Sequence, residues 1–181
     1  MTPSADWDAR VVLPTLGLKP WNGHAWRAHW RSYEATDHGG SLRFSGRYHR
    51  GPDHFPEDQS WGALYLALSP EVALGEIFRQ LSPELMHRLN GYRLSELDVE
   101  LNSVVDCRNA EVLGLTPDDL MRDYDFTLTQ GIGAAAMALG VEAIVVQSAT
   151  RLGDNLVVFP ARLQSTSKLG VVRDPRLYVP R

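Results

Sequence analysis

The spacing of apolar positions along residues 61–80, WGALYLALSPEVALGEIFRQ, changes in mid-stretch. Residues 63–68 form a continuous apolar and aromatic run, the mark of a short buried strand. Ser69-Pro70 follows, an N-cap residue and then proline at the first helical position, where its missing N–H costs nothing. The pattern predicts a helix over 70–80. On a helical wheel Val72, Ala73, Leu74, Ile77 and Phe78 share one apolar arc, while Glu71, Gly75 and Arg79 point away. Glu76 falls inside the edge of that arc, between Val72 and Ala73. A carboxylate there loses part of its water. Two readings stay open: a structural carboxylate that reaches solvent or pairs with an arginine, and a functional one.

Residues 1–20, punctuated by Pro3, Pro14 and Pro20, read as an irregular arm laid over the body. Residues 21–33 are dense in aromatics, with Trp26 and Trp30 expected as core anchors. Residues 37–40 read as a turn, 41–50 as an extended segment and 51–59 as a polar loop with two prolines, a candidate flap. Ser82-Pro83-Glu84 starts a short helix to about Asn90. Segments 92–101 and 104–107 read as strands. Thr116-Pro117 begins another helix, and 129–139 is a small-residue helix stopped by Gly140. The glycines of that helix lack the spacing of a dinucleotide fingerprint. Segments 141–147, 155–160 and 169–172 complete the strands, and 173–181 reads as a peripheral tail. Strands and helices alternate irregularly, which favours a single α+β domain over a regular doubly wound sheet.

Composition narrows the class. The chain has 181 residues, 44% hydrophobic and 22% charged, within the range of one well-filled core. A net charge of −4 argues against a general nucleic-acid or membrane footprint. The single cysteine, Cys107, excludes an intrachain disulfide, and no zinc-ligand spacing is present, so no metal is expected. The first twenty residues lack a secretory pattern, and no apolar run approaches the ~18 residues of a membrane span. A cytoplasmic protein is the expectation. Within this acidic chain, positive charge gathers between 27 and 50, at Arg27, Arg31, Arg43, Arg47, His49 and Arg50. That cluster suits one anionic ligand, or equally a solvated strand face.

An ordered set of short motifs then emerges: Trp26-Arg27, Gly46-Arg47-Tyr48, Leu64-Tyr65-Leu66-Ala67, Ala73 with Glu76, and Ser148-Ala149 with 155–159. Together they resemble the RES domain, the toxin half of bacterial RES–Xre toxin–antitoxin pairs. The match covers roughly residues 26–160, flanked by an arm at 1–25 and a strand and tail at 161–181. Ser45 stands where the family usually has glycine, and Gln147 where it often has proline. The segment between Arg47 and Tyr65 is longer than usual.

The resemblance implies an ADP-ribosyltransferase-like fold of the diphtheria-toxin type, with mixed sheets and flanking helices. It implies NAD+ as substrate, with no bound cofactor. It also implies cleavage of the nicotinamide–ribose bond, with ADP-ribose passed to water, phosphate or a protein. The implied catalytic residues are Glu76, Arg47 and Tyr65, and the implied NAD+-binding residues are Arg27, Tyr48, Ser148 and Asn155. The implied partner is a helical Xre-type antitoxin whose acidic or carboxylate terminus enters the cleft. The oligomeric state stays open.

The residue types suit that chemistry. Glycosidic cleavage develops an oxocarbenium-like sugar, which a carboxylate such as Glu76 stabilises. Arginines such as Arg27 and Arg47 grip a diphosphate through charge-assisted pairs. Tyr65 offers a ring for nicotinamide to stack on, and Ser148 a hydroxyl for ribose or phosphate, while Asn155 suits bracing of its loop. Each residue also has a plain structural reading: Tyr65 as a core aromatic, Ser148 as a turn residue, Arg27 as a surface arginine. Two rival functions remain. One is a metal-independent ribonuclease built on Arg47, His49, His54 and Glu76. The other is a non-catalytic domain that binds a nucleotide or antitoxin in the same groove.

Overall fold

The computed structural model describes residues 6–81, 83–172 and 176–177. Seven strands are present among them: β1 (Lys19–Trp30), β2 (Leu64–Ala67), β3 (Tyr92–Asp106), β4 (Ala143–Gln147), β5 (Asp154–Val158), β6 (Lys168–Val171) and β7 (Arg176–Leu177). The helices are α1 (Ala9–Val12), α2 (Pro70–Gln80), α3 (Pro117–Leu120) and α4 (Thr127–Leu139), joined by short 3₁₀ turns. Pairing runs β1–β2–β5–β4–β3–β6, and β1 also pairs along most of β3, so the strands close into a ring. β3 runs parallel to β4; the other pairs are antiparallel. The result is a mixed α+β domain with a barrel-like sheet.

Side chains alternate between two cores, as the two-residue period of a strand demands. Leu64, Leu66, Ala143, Val145, Leu156 and Val158 point into the ring. Ile144, Val146, Val157 and Phe159 point outward, against α4 and the N-terminal turns. β4 and β5 are therefore covered on both faces, which explains their unbroken apolar runs.

Ser69 caps α2, its hydroxyl accepting the Val72 N–H at 3.2 Å, with Pro70 in the first turn. Val72 and Ala73 then pack with Ala67 against Trp26, Ala28 and Leu94. This packing occupies a weak point in the ring. β1 and β2 share one register pair, Trp26 with Ala67, and diverge on either side of it.

Several elements differ from the pattern-based expectation. The arm carries two helical turns whose Ala9 and Leu13 enter the core. Residues 21–33 include most of β1. Its alternation is hidden because aromatic and basic side chains occupy both faces. Trp30 is 38% exposed and stacks on Tyr92 at 4.6 Å, so it is no core anchor, and Phe78 leaves the apolar arc at 38% exposure. Residues 92–106 form one strand rather than two. The 41–50 segment folds into hydrogen-bonded turns with a single bridge, Gly46 to His49, instead of extending. The helix expected before Asn90 is 3₁₀ (Pro83–Gly91). Residues 1–5, the Ser82 helix start and tail positions 173–175 and 178–181 lie outside the described residues.

Candidate active site

A cleft of about 460 Å³ opens where β1 and β2 diverge. Its walls come from β1 (Trp26, Arg27), the Gly46–Tyr48 turn, β2 (Tyr65), α2 (Glu76, Arg79), the 121–126 loop (Asp123, Phe126) and the β4–β5 end (Gln147, Asn155). The volume falls in the range of small-molecule sites. Six of the seven residues expected at the site line it; Ser148 does not.

Glu76 is half-buried, and one of its oxygens is fixed from two sides. Oε1 accepts the Ser148 hydroxyl at 2.5 Å and the Asn155 side-chain amide at 2.9 Å. Among the described residues Oε2 has no hydrogen-bond partner. Ser148 is 0% exposed, and its oxygen also accepts the Thr150 N–H at 3.1 Å and lies 2.7 Å from the Thr150 hydroxyl. It holds the carboxylate and offers nothing to a ligand. The same arrangement explains why Glu76 tolerates its helix edge: desolvation is offset by hydrogen bonds to the charged form.

Tyr65 is equally constrained. Its hydroxyl accepts the Tyr48 N–H at 2.9 Å and lies 3.0 Å from His49 Nδ1. His49 Nε2 is 2.7 Å from the Phe44 carbonyl, which can only accept, so Nε2 carries the proton and Tyr65 donates to Nδ1. Burial holds the His49 imidazole below its ordinary pKa, against the opposing pull of the Phe44 carbonyl and Asp53. Burial likewise raises the Tyr65 phenol. The ring, not the hydroxyl, is what Tyr65 presents to the cleft. Gly46 is required in this turn: a Cβ there would lie 2.4 Å from His49 Cε1. The Tyr48 ring is buried in the core, and its main chain carries the contact with Tyr65.

The arginines are partly spent on the protein. Arg27 Nη1 donates to the Ala35 carbonyl at 2.7 Å and to the Asp37 carbonyl, anchoring the 35–37 turn. Its Nη2 and Nε have no partner among the described residues. Arg47 Nη1 donates to the carbonyls of Leu120 (3.0 Å) and Arg122 (2.9 Å), and its guanidinium lies 4.9 Å from the centre of the Phe126 ring. Arg47 Nη2 is 3.7 Å from Asp123, which also receives Arg79.

Sequence reasoning placed Arg79 away from the core and did not single out Asp123 or Phe126. Arg79 follows Glu76 by three residues on α2, which puts the two on one side of the helix; that spacing was the available signal. The ribonuclease quartet does not assemble. His49 is 5% exposed with both nitrogens bonded, and His54 lies out on the 51–59 loop beside Asp53. No group of acidic, His or Cys side chains able to hold a metal occurs among the described residues. No described helix is long and apolar enough to cross a membrane.

Residues 24–179 match the RES domain, and the chain belongs to that family. A solved structure, the M. tuberculosis MbcT–MbcA toxin–antitoxin complex, contains a chain with the same fold: TM-score 0.74 and 21% identity, over 91% of this chain and 89% of that one. No curated protein sequence matches.

Proposed function

We propose that the cleft binds NAD+ and cleaves its nicotinamide–ribose bond, passing ADP-ribose to water, phosphate or a protein. The carrying observation is Glu76, with Oε1 clamped by Ser148 and Asn155 and Oε2 unpartnered at the cleft wall. In this reading Oε2 takes the 2′-hydroxyl of the nicotinamide ribose and stabilises positive charge growing at C1′. The C1′–N bond breaks with its electron pair staying on nitrogen, so nicotinamide leaves neutral. The acceptor oxygen bonds C1′ and sheds its proton. A neutral leaving group needs no general acid, which agrees with a site whose tyrosine hydroxyl is already committed. Tyr65 supplies the stacking face. Arg27, through Nη2 and Nε, and Arg47, through Nη2, hold the diphosphate.

The fold reading that goes with this chemistry is ADP-ribosyltransferase-like. The biological reading is a toxin acting on the cellular NAD+ pool, restrained by an Xre-type antitoxin that fills the cleft. Membership of the RES family and the fold shared with a chain of a toxin–antitoxin complex support it. Incubation with NAD+, with and without phosphate, followed by mass spectrometry of the products tests the chemistry. Release of nicotinamide with ADP-ribose, its 1″-phosphate or a modified protein is expected. Intact NAD+ under all conditions would leave only the non-catalytic binding reading.

A further inference from the structure

Asp123 Oδ1 stands between two cleft-lining guanidiniums: Arg79 Nη2 donates to it, and Arg47 Nη2 is 3.7 Å away. The Asp123 side chain is 48% exposed while that of Arg47 is 13% exposed, so the carboxylate can leave more easily than the arginine. The loop does not depend on it. Arg122 pairs with Asp119 at 2.8 Å and lies 3.6 Å from Asp125, and the Thr127 N–H donates to Asp125 at 3.0 Å. Arg47 Nη1 grips the loop through carbonyls, not through Asp123.

We propose that Asp123 is a tethered anion that occupies this arginine pair until a phosphate-bearing ligand exchanges for it, and so sets which anions the cleft admits. A side chain on a short tether has an effective concentration of about millimolar. A free carboxylate or a single weak anion below that level loses the competition. A diphosphate carries more charge and makes paired contacts to planar guanidiniums, so it wins. The proposal rests on the nucleotide reading above, which gives the diphosphate to Arg27 and Arg47; it shares Arg47 with that reading and adds Arg79.

Calorimetric titration of inorganic pyrophosphate and of ADP into wild type, Asp123→Asn and Asp125→Asn tests it, at low and moderate salt. Asp123→Asn should bind both probes about 3- to 10-fold tighter, the scale of a partly exposed ion pair facing two partners. Its binding should also weaken more steeply with salt, because new ion pairs form without an old one breaking. Asp125→Asn loses the same charge from the same loop and should bind as wild type does. Arg79→Ala in the Asp123→Asn background should erase the gain. Equal affinity in Asp123→Asn and wild type, an equal gain in Asp125→Asn, or no pyrophosphate binding to Asp123→Asn would each overturn the exchange. Binding of pyrophosphate and ADP is independent of nicotinamide release, which the NAD+ incubation follows separately. A cleft that takes up diphosphate more tightly in Asp123→Asn but leaves NAD+ intact would defeat the proposed reaction and keep the exchange.

Discussion

Glu76→Gln isolates charge from shape. The amide oxygen of glutamine can accept the same two donors, Ser148 and Asn155, that Glu76 Oε1 accepts now. The amide nitrogen then takes the place of Oε2. Two charge-assisted hydrogen bonds become neutral ones, a loss of roughly 0.5–1.5 kcal/mol each, largely offset because no charge need be desolvated. Stability should change by less than about 1 kcal/mol, a Tm shift of at most about 4 °C for a chain of this size. Turnover behaves differently. A preorganised electrostatic group at the reacting centre is worth about 10²–10³ in rate, or about 3–4 kcal/mol. Nicotinamide release by Glu76→Gln, measured by chromatography on protein whose melting has been checked, should therefore fall at least about 10²-fold. Ser148→Ala is the matched contrast. It leaves the charge but strips one clamp and a buried bond, costing about 1–3 kcal/mol of stability. Its loss of turnover should be smaller, because Asn155 still holds Oε1. Retention of more than about a tenth of wild-type turnover in well-folded Glu76→Gln would refute the assignment.

Three further expectations follow from particular contacts. Arg27→Ala and Arg47→Ala should both weaken NAD+ binding. Arg47→Ala should also lower Tm, because the Leu120 and Arg122 carbonyls and the Phe126 ring lose their partner; lysine should rescue only in part. Unchanged NAD+ binding in both would remove the diphosphate assignment. Glu142 is fully buried just before β4, accepting the Asn102 (2.6 Å), Ser103 (2.9 Å) and Gln164 (2.9 Å) N–H groups and the Ser167 hydroxyl. Burial raises its pKa, but these donors outweigh burial and hold it below the ordinary value of 4.5. Its contribution is thus present above that value and lost as pH falls through the lower folded value. Glu142→Gln should cost about 2–4 kcal/mol at neutral pH and flatten the acid limb of the stability curve, as read by denaturant titration across pH. Gly133→Ala would set a Cβ 2.0 Å from the Tyr48 carbonyl oxygen, pushing α4 off the turn that supports Tyr65. A drop of at least about 1–3 kcal/mol is expected, and an unchanged Tm would contradict the packing described.

Local chemistry was enough for the central unit. Strand β2, the Ser69 cap, Pro70 and the span of α2 are set by neighbours within a turn or two, and the wheel position of Glu76 follows from them. β4 and β5 were legible as strands for the same reason, since their burial on both faces leaves continuous apolar runs. Motif order was sufficient to bring Arg27, Arg47, Tyr65, Glu76 and Asn155 to one cleft. What each does there was beyond local reach. Ser148 and Asn155 meet Glu76 across 72 and 79 residues, and only that contact turns Ser148 from a ligand contact into a clamp. The Tyr65 hydroxyl is committed to His49 by a turn that sequence reading took as extended. β1 was hidden because aromatic and basic side chains occupy both of its faces, so polarity does not alternate along it. Asp123 was not singled out, because its pairing with Arg79 and Arg47 depends on how the 121–126 loop crosses the cleft. The sequence by itself determined the segments whose caps and side-chain periods are local, β2, α2, α4, β4 and β5 among them, because hydrogen bonds and packing within a few residues decide those. Only the tertiary structure decided which polar groups are already satisfied and which face the cleft, because that depends on partners far away in the chain.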